Sequence, residues 1–256
     1  MGYYDLPAPE RKRLYARMER GITRDISAGR SDTIEKYASN EDTYIRKNCY
    51  LILGRLYYAD VTARKQVLTT LDELSRSADP LIRQTAVFAL GEIGKQDFNT
   101  VEQRLSSFLR ETHPAVKKGL TGAIKQMGEK NPRPVFAWAR AGLSGFDADL
   151  KTRILHGLEL RGRTHPEDLL PVLKRVLTED ADRKTGRMVV HIVGQISYKK
   201  GCLEKVLDEL DTWEDKELVA ECAGEIIDVH KRYARFSAVT PREAARYVRE
   251  RLGRHA

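Results

Sequence analysis

Along most of the chain the apolar residues recur at i, i+3 or i+4, and i+7, which places them on one face of a helix. No segment shows the strict alternation of a half-buried strand. The helical segments are themselves periodic. Ile45, Arg46, Cys49, Leu53, Gly54 and Leu56 fall on Ile82, Arg83, Ala86, Leu90, Gly91 and Ile93 when the two glycines are superimposed. The frame returns at Val116, Leu120, Ile124 and Met127, then at Leu150, Ile154 and Leu158, then at Val189, Val193, Gly194 and Ile196. A weaker sixth copy reads Val219, Ala223, Gly224 and Ile226. Anchor positions 54, 91, 125, 159, 194 and 224 are therefore 37, 34, 34, 35 and 30 residues apart.

Ahead of these segments lie further amphipathic stretches at 62–78, 98–110, 132–143, 166–178 and 202–213. Helix starts are marked by Asp79-Pro80 and Asn131-Pro132, a capping side chain before a first-turn proline. Thr164 with Glu167, and Thr240 with Glu243, have the spacing of a capping box. Paired helices of this length cannot bury their apolar faces alone, so successive pairs must stack into a curved α-solenoid. Residues 8–28 and 241–252 read as charged helices at the two ends, where an array needs a polar outer surface. The expected organisation is one domain over 1–256, with a capping helix in 1–30, six hairpins over 31–235 and a capping helix in 236–256.

Composition narrows the class. An apolar fraction of 41% is enough to fill a core, and 18 Gly and 9 Pro are too few for a turn-dense all-β chain. No apolar run approaches the roughly 20 residues of a membrane span, and Met1-Gly2-Tyr3-Tyr4-Asp5 does not open a signal peptide. Cys49, Cys202 and Cys222 are odd in number and far apart, which fits a reduced, cytoplasmic setting without a disulfide framework.

The segments that carry the repeat resemble the HEAT-repeat family, through Asp79-Pro80-Leu81-Ile82-Arg83, Ala89-Leu90-Gly91-Glu92-Ile93 and the mid-helix Pro171. The resemblance covers about residues 31–235 and implies an all-α, right-handed α-α superhelix of about six hairpins whose second helices line a concave surface. It is specific for fold. HEAT arrays serve as scaffolds, carriers, nucleic-acid binders and, rarely, enzymes.

If the second helices line that surface, their polar positions form ladders. One ladder holds Lys47, Gln84, Lys118, Thr152, Arg187 and Glu217; the next holds Leu51, Phe88, Gly122, His156, His191 and Glu221; the third holds Arg55, Glu92, Gln126, Leu160, Gln195 and Glu225. Polar residues thus concentrate in the fourth and fifth repeats, with His156, His191 and Glu221 expected side by side. Any solvated helix face carries such a stripe, and a partner groove is the competing reading. Two loops expected on one edge, Arg161-Gly162-Arg163-Thr164-His165 and Ser197-Tyr198-Lys199-Lys200-Gly201, could hold phosphate or an acidic segment; basic residues there also answer the negative ends of helices. Arg161 stands out, because its frame position is apolar in the other repeats. A further ladder, Arg46, Arg83, Lys117, Lys151 and Lys216, has acidic neighbours in Asp42, Asp79 and Glu111 and reads as internal glue.

Catalytic motifs are missing: there is no Gly-rich phosphate loop, Gly-x-Ser-x-Gly elbow, His-Glu-x-x-His or Cys-x-x-Cys. HEAT-like deoxyhypusine hydroxylases carry His-Glu dipeptides as iron ligands, and the equivalent positions here read His156-Gly157 and His191-Ile192. No metal or cofactor is therefore expected. HEAT-like alkylpurine DNA glycosylases pair tryptophans with an acid on the concave face, whereas Trp138 and Trp213 fall on first helices. A bilin-lyase-like or other small-molecule enzyme has fold analogy alone behind it.

The formal charge of +8 is unevenly spread. Residues 115–165 hold ten Lys/Arg against four acids, and residues 203–228 hold ten acids against two lysines. A groove tracking phosphates should be basic along its course, which the acidic stretch interrupts. The expected function is a non-catalytic HEAT scaffold that engages a protein through Lys118, His156, Arg161, Arg163, Arg187, His191, Gln195, Tyr198, Lys199 and Lys200. The alternative is a DNA-binding protein similar to the HEAT-like glycosylases, with salt-sensitive affinity.

Overall fold

A computed structural model describes residues 2–179 and 182–253, in two compact units, 1–131 and 132–256. Among the described residues there are fourteen α-helices and no strand. The first unit holds α1 (Ala8–Ala28), α2 (Asp32–Ala38), α3 (Thr43–Ala59), α4 (Arg64–Leu74), α5 (Pro80–Gly94), α6 (Phe98–Ser107) and α7 (Pro114–Lys130). The second holds α8 (Pro132–Gly142), α9 (Ala148–Gly162), α10 (Pro166–Glu179), α11 (Arg183–Ser197), α12 (Cys202–Asp211), α13 (Lys216–Arg232) and α14 (Pro241–Leu252). The hairpins α2/α3 to α12/α13 are the six expected from the periodicity, flanked by α1 and α14. Residues 254–256 of the expected C-terminal cap lie outside the described residues.

Within each unit the second helices pack on one another, α3 on α5 on α7 and α9 on α11 on α13, with their first helices against the other side. The apolar frame is the core of this packing: Cys49, Leu53, Ala86, Leu90, Ile154, Leu158, Val189 and Ile226 are all buried. Glycine recurs in the frame because neighbouring second helices touch there. A Cβ on Gly91 would sit 2.8 Å from the Cβ of Ala123, and one on Gly194 would sit 2.6 Å from Cγ of Glu225.

Caps form where short polar residues precede the helices. Asp79 accepts from the Leu81 amide, and Thr240 and Glu243 close a reciprocal box. The box expected at Thr164 is replaced: its hydroxyl donates back to the Arg161 carbonyl, and α10 begins at Pro166. The basic ladder is internal. Arg46 donates to the carbonyls of Asn40 and Glu41, Arg83 to those of Ser77 and Ala78, and Lys216 to that of Trp213. Each base ties the loop before its helix to the helix itself. Arg83 also grips both carboxylate oxygens of Glu111, at 2.8 and 3.2 Å. That clasp, with amide donors from Thr112 and His113, pulls the Glu111 carboxyl down to about 2.

Candidate functional site

The frame position held by glycine in four repeats is Lys125 in the third and a carboxylate in the fourth. That carboxylate is Glu159 on α9, and the side chain is 1% exposed. A carboxylate at an interhelical contact must be compensated or its burial is strongly unfavourable. Compensation comes from Arg163, one turn further along, which donates to Oε1 from Nε at 3.0 Å and from a terminal nitrogen at 2.5 Å. The same guanidinium donates to Gln195 Oε1 on α11 at 3.2 Å. The other oxygen, Oε2, has no hydrogen-bond partner among the described residues.

Two imidazoles stand over that oxygen. His156, one turn back on α9, brings Nε2 to 3.5 Å, and His191 on α11 brings Nε2 to 4.0 Å. The rings meet edge to face with centroids 6.4 Å apart. Nδ1 of His191 lies 4.0 Å from Glu225 on α13, and Glu225 is held by Arg232 at 2.6 Å. Both histidine side chains are more than 40% exposed, so the row is open to solvent above a buried carboxylate. Beside it lies a groove of about 400 Å³ bordered by Thr152, Arg183, Arg187, Met188 and His191. In the first unit the Phe88 ring stacks on Tyr50 and its edge leaves only 3.0 Å for a Cβ on Gly122, while a groove of about 630 Å³ opens beside Leu51, Arg55, Tyr58 and Glu92.

The expected site residues divide accordingly. Arg187 and His191 border the groove, His156 stands against His191, and Lys199 and Lys200 follow α11. Glu221 is exposed on α13, and the carboxylates beside the imidazoles are Glu159 and Glu225 instead. Arg161 already has a partner, Asp168 of α10 at 2.7 Å, which accounts for a base in an apolar frame position. Arg163 and Gln195 build the floor under the histidines, and Gln195 is only 3% exposed. Tyr198 is 6% exposed because it ends α11 beneath a later loop, whose Ala238 amide donates to its carbonyl. Lys118 is exposed on α7, in the first unit. Glu159 is not among the residues expected from the sequence, although an acid in a frame position that is glycine in four of the six repeats is a visible signal.

As a chemical apparatus the row is an acceptor flanked by weak bases. Among the described residues no three His, Cys, Asp or Glu side chains are placed to hold a metal ion, and Arg163 already neutralises Glu159. The thiols offer no nucleophile: burial pushes those of Cys49 and Cys222 up to about 12. Trp213 is buried and Trp138 lies on α8, so neither stands on the second-helix face as a glycosylase-like site requires. No helix among the described residues is long and apolar enough to cross a membrane.

Paired helices in a repeated frame, three of them tied by a base to the loop before, define a HEAT-like repeat protein of the all-α solenoid class. A family described as Cnd1, non-SMC mitotic condensation complex subunit 1, matches residues 26–133, which is less than half of the chain. No curated protein matches this sequence.

Proposed function

We propose that this chain is a HEAT-repeat scaffold that holds a protein partner on the α9/α11 face and the adjoining loop edge. The carrying observation is the pair of exposed imidazoles, His156 and His191, set over the buried carboxylate of Glu159 and close to Arg187. A partner segment that supplies hydrogen-bonding groups to the two imidazoles and a carboxylate to Arg187 would fit this face. The matched family is described as a subunit of a mitotic condensation complex, which supports seeking the partner among components of such an assembly. A chromosomal setting follows from that reading; the free thiols are equally at home in the cytoplasm. The single-array organisation of all six hairpins belongs to the same proposal, and no cofactor enters it.

The test is co-purification of the tagged chain, followed by cross-linking of whatever is retained. His156→Ala with Arg187→Glu and His191→Ala should abolish retention of condensation-complex components while leaving the helical circular dichroism unchanged. Equal retention by the triple variant would refute the site. The alternative, DNA binding similar to that of the HEAT-like glycosylases, draws on exposed Arg183 and Arg187 at the same groove. It requires duplex affinity that falls steeply between about 50 and 200 mM salt.

A further inference from the structure

Between Asp228 and Glu243 the sequence runs Val229 to Arg242 with four Lys/Arg and no acid. The structure folds this stretch onto the loop after α11. The Ala238 amide donates to the Tyr198 carbonyl at 2.9 Å, and the Ser237 hydroxyl reaches the same oxygen at 3.5 Å. The ring of Tyr233 lies nearly parallel to that of Tyr198, 17° between planes and 5.5 Å between centroids. Lys199 places its ammonium 4.9 Å from the Tyr198 ring centre. Tyr198 is thus a floor, and what stands above it is open: Tyr233 is 36% exposed and Phe236 is 68% exposed.

Four cations lie within three residues of these rings along the chain, Lys199 and the exposed Lys200, Lys231 and Arg235. Arg232 is committed to Glu225 and Asp228, at 2.6 and 2.8 Å. Among the described residues Lys200, Lys231 and Arg235 have no ion-pair partner. An exposed phenylalanine contributes no burial to the fold, and a cluster of unpaired cations repels itself. A ligand with negative charge and flat apolar faces answers both. Nucleic-acid duplex offers the charge but hides its bases in the stack; an acidic peptide offers the charge without the planes. A single strand presents both, with bases free to lie on aromatic rings while phosphates meet lysine and arginine.

We propose that the edge formed by residues 198–201 and 231–237 binds single-stranded nucleic acid, with Tyr233 and Phe236 as stacking surfaces and Lys199, Lys200, Lys231 and Arg235 as phosphate contacts. The site shares the loop after α11 with the partner surface proposed above but uses neither His156 nor His191, and its test is read independently of theirs.

The experiment is fluorescence anisotropy of labelled dT12 with the full chain, in about 50 mM salt. A 12-base-pair duplex, a twelve-residue poly-Glu peptide and phosphatidylserine vesicles serve as competitors. The expected result is binding of dT12 that the single strand displaces better than any of the three. Phe236→Ala, an exposed position that the fold does not use, should weaken dT12 binding about tenfold with the helical signal intact. Lys200→Ala and Lys231→Ala should each flatten the log–log salt dependence by about 0.7. His156→Ala with His191→Ala should leave it unchanged, which separates failure here from failure of the partner face. Absence of dT12 binding, preference for any of the three competitors, or an unaltered affinity in Phe236→Ala overturns the proposal.

Discussion

Arg163→Met removes the guanidinium that donates to a carboxylate 1% exposed. Oε1 of Glu159 loses donors at 2.5 and 3.0 Å, and Oε2 already lacks one. The histidine nitrogens at 3.5 and 4.0 Å are the nearest replacements, and both must move to form a hydrogen bond. Stranding one member of a fully buried pair costs about 3–5 kcal/mol. Because Arg163 is 33% exposed, water reaches the vacated space and the expected loss is nearer about 2 kcal/mol. For a chain of this size that is a fall of about 4–8 °C in Tm, read by circular dichroism at 222 nm and by urea denaturation. Glu159→Gln in the Arg163→Met background removes the stranded charge and should recover at least about 1 kcal/mol, appearing as a coupling term in the double-mutant cycle. A single variant within about 0.5 kcal/mol of wild type, or strict additivity in the cycle, would show that the buried carboxylate is not held as argued.

Two further outcomes follow from the packing and the clasp. Gly91→Ala should destabilise the first unit by about 1–2 kcal/mol, the overpacking against Ala123 outweighing the better helix former; Gly91→Ala with Ala123→Gly exchanges the methyl across the contact and should restore stability to within about 0.5 kcal/mol, which urea midpoints would report. Glu111, held down to about 2 by Arg83, contributes stability that is fully present above the ordinary carboxylate range near 4.5 and is lost as pH falls toward 2. Wild type should exceed Glu111→Gln by at most about 3 kcal/mol at pH 7 and by clearly less at pH 3; an equal gap at both pH values would refute the assignment.

The helices were legible because each amphipathic period must turn the same face to the core, so α1 and α14 could be placed at 8–28 and 241–252 from pattern alone. Loop ends were less so. Trp213 and Phe108 fall just beyond their helices, since a helix stops where its caps are satisfied rather than where its apolar pattern ends. The histidine pair was visible as a ladder, but its chemistry was not. Periodicity assigns a residue to a face without saying what lies beneath it, so the buried carboxylate under His156 and His191 emerges only from the packing of α9 on α11. Burial of Tyr198 and Gln195 is hidden for the same reason: position along a helix does not reveal that a loop forty residues later closes over Tyr198, or that Arg163 at the end of the neighbouring helix reaches Gln195.

The bonds from Arg46, Arg83 and Lys216 to the preceding loops join residues six or fewer apart. A stretch of gene copied in tandem therefore carries its own fastening with it. A duplicated hairpin keeps these joints intact, and only its contacts with the neighbouring repeats, such as Arg83 with Glu111 or Gly91 with Ala123, need to be matched anew.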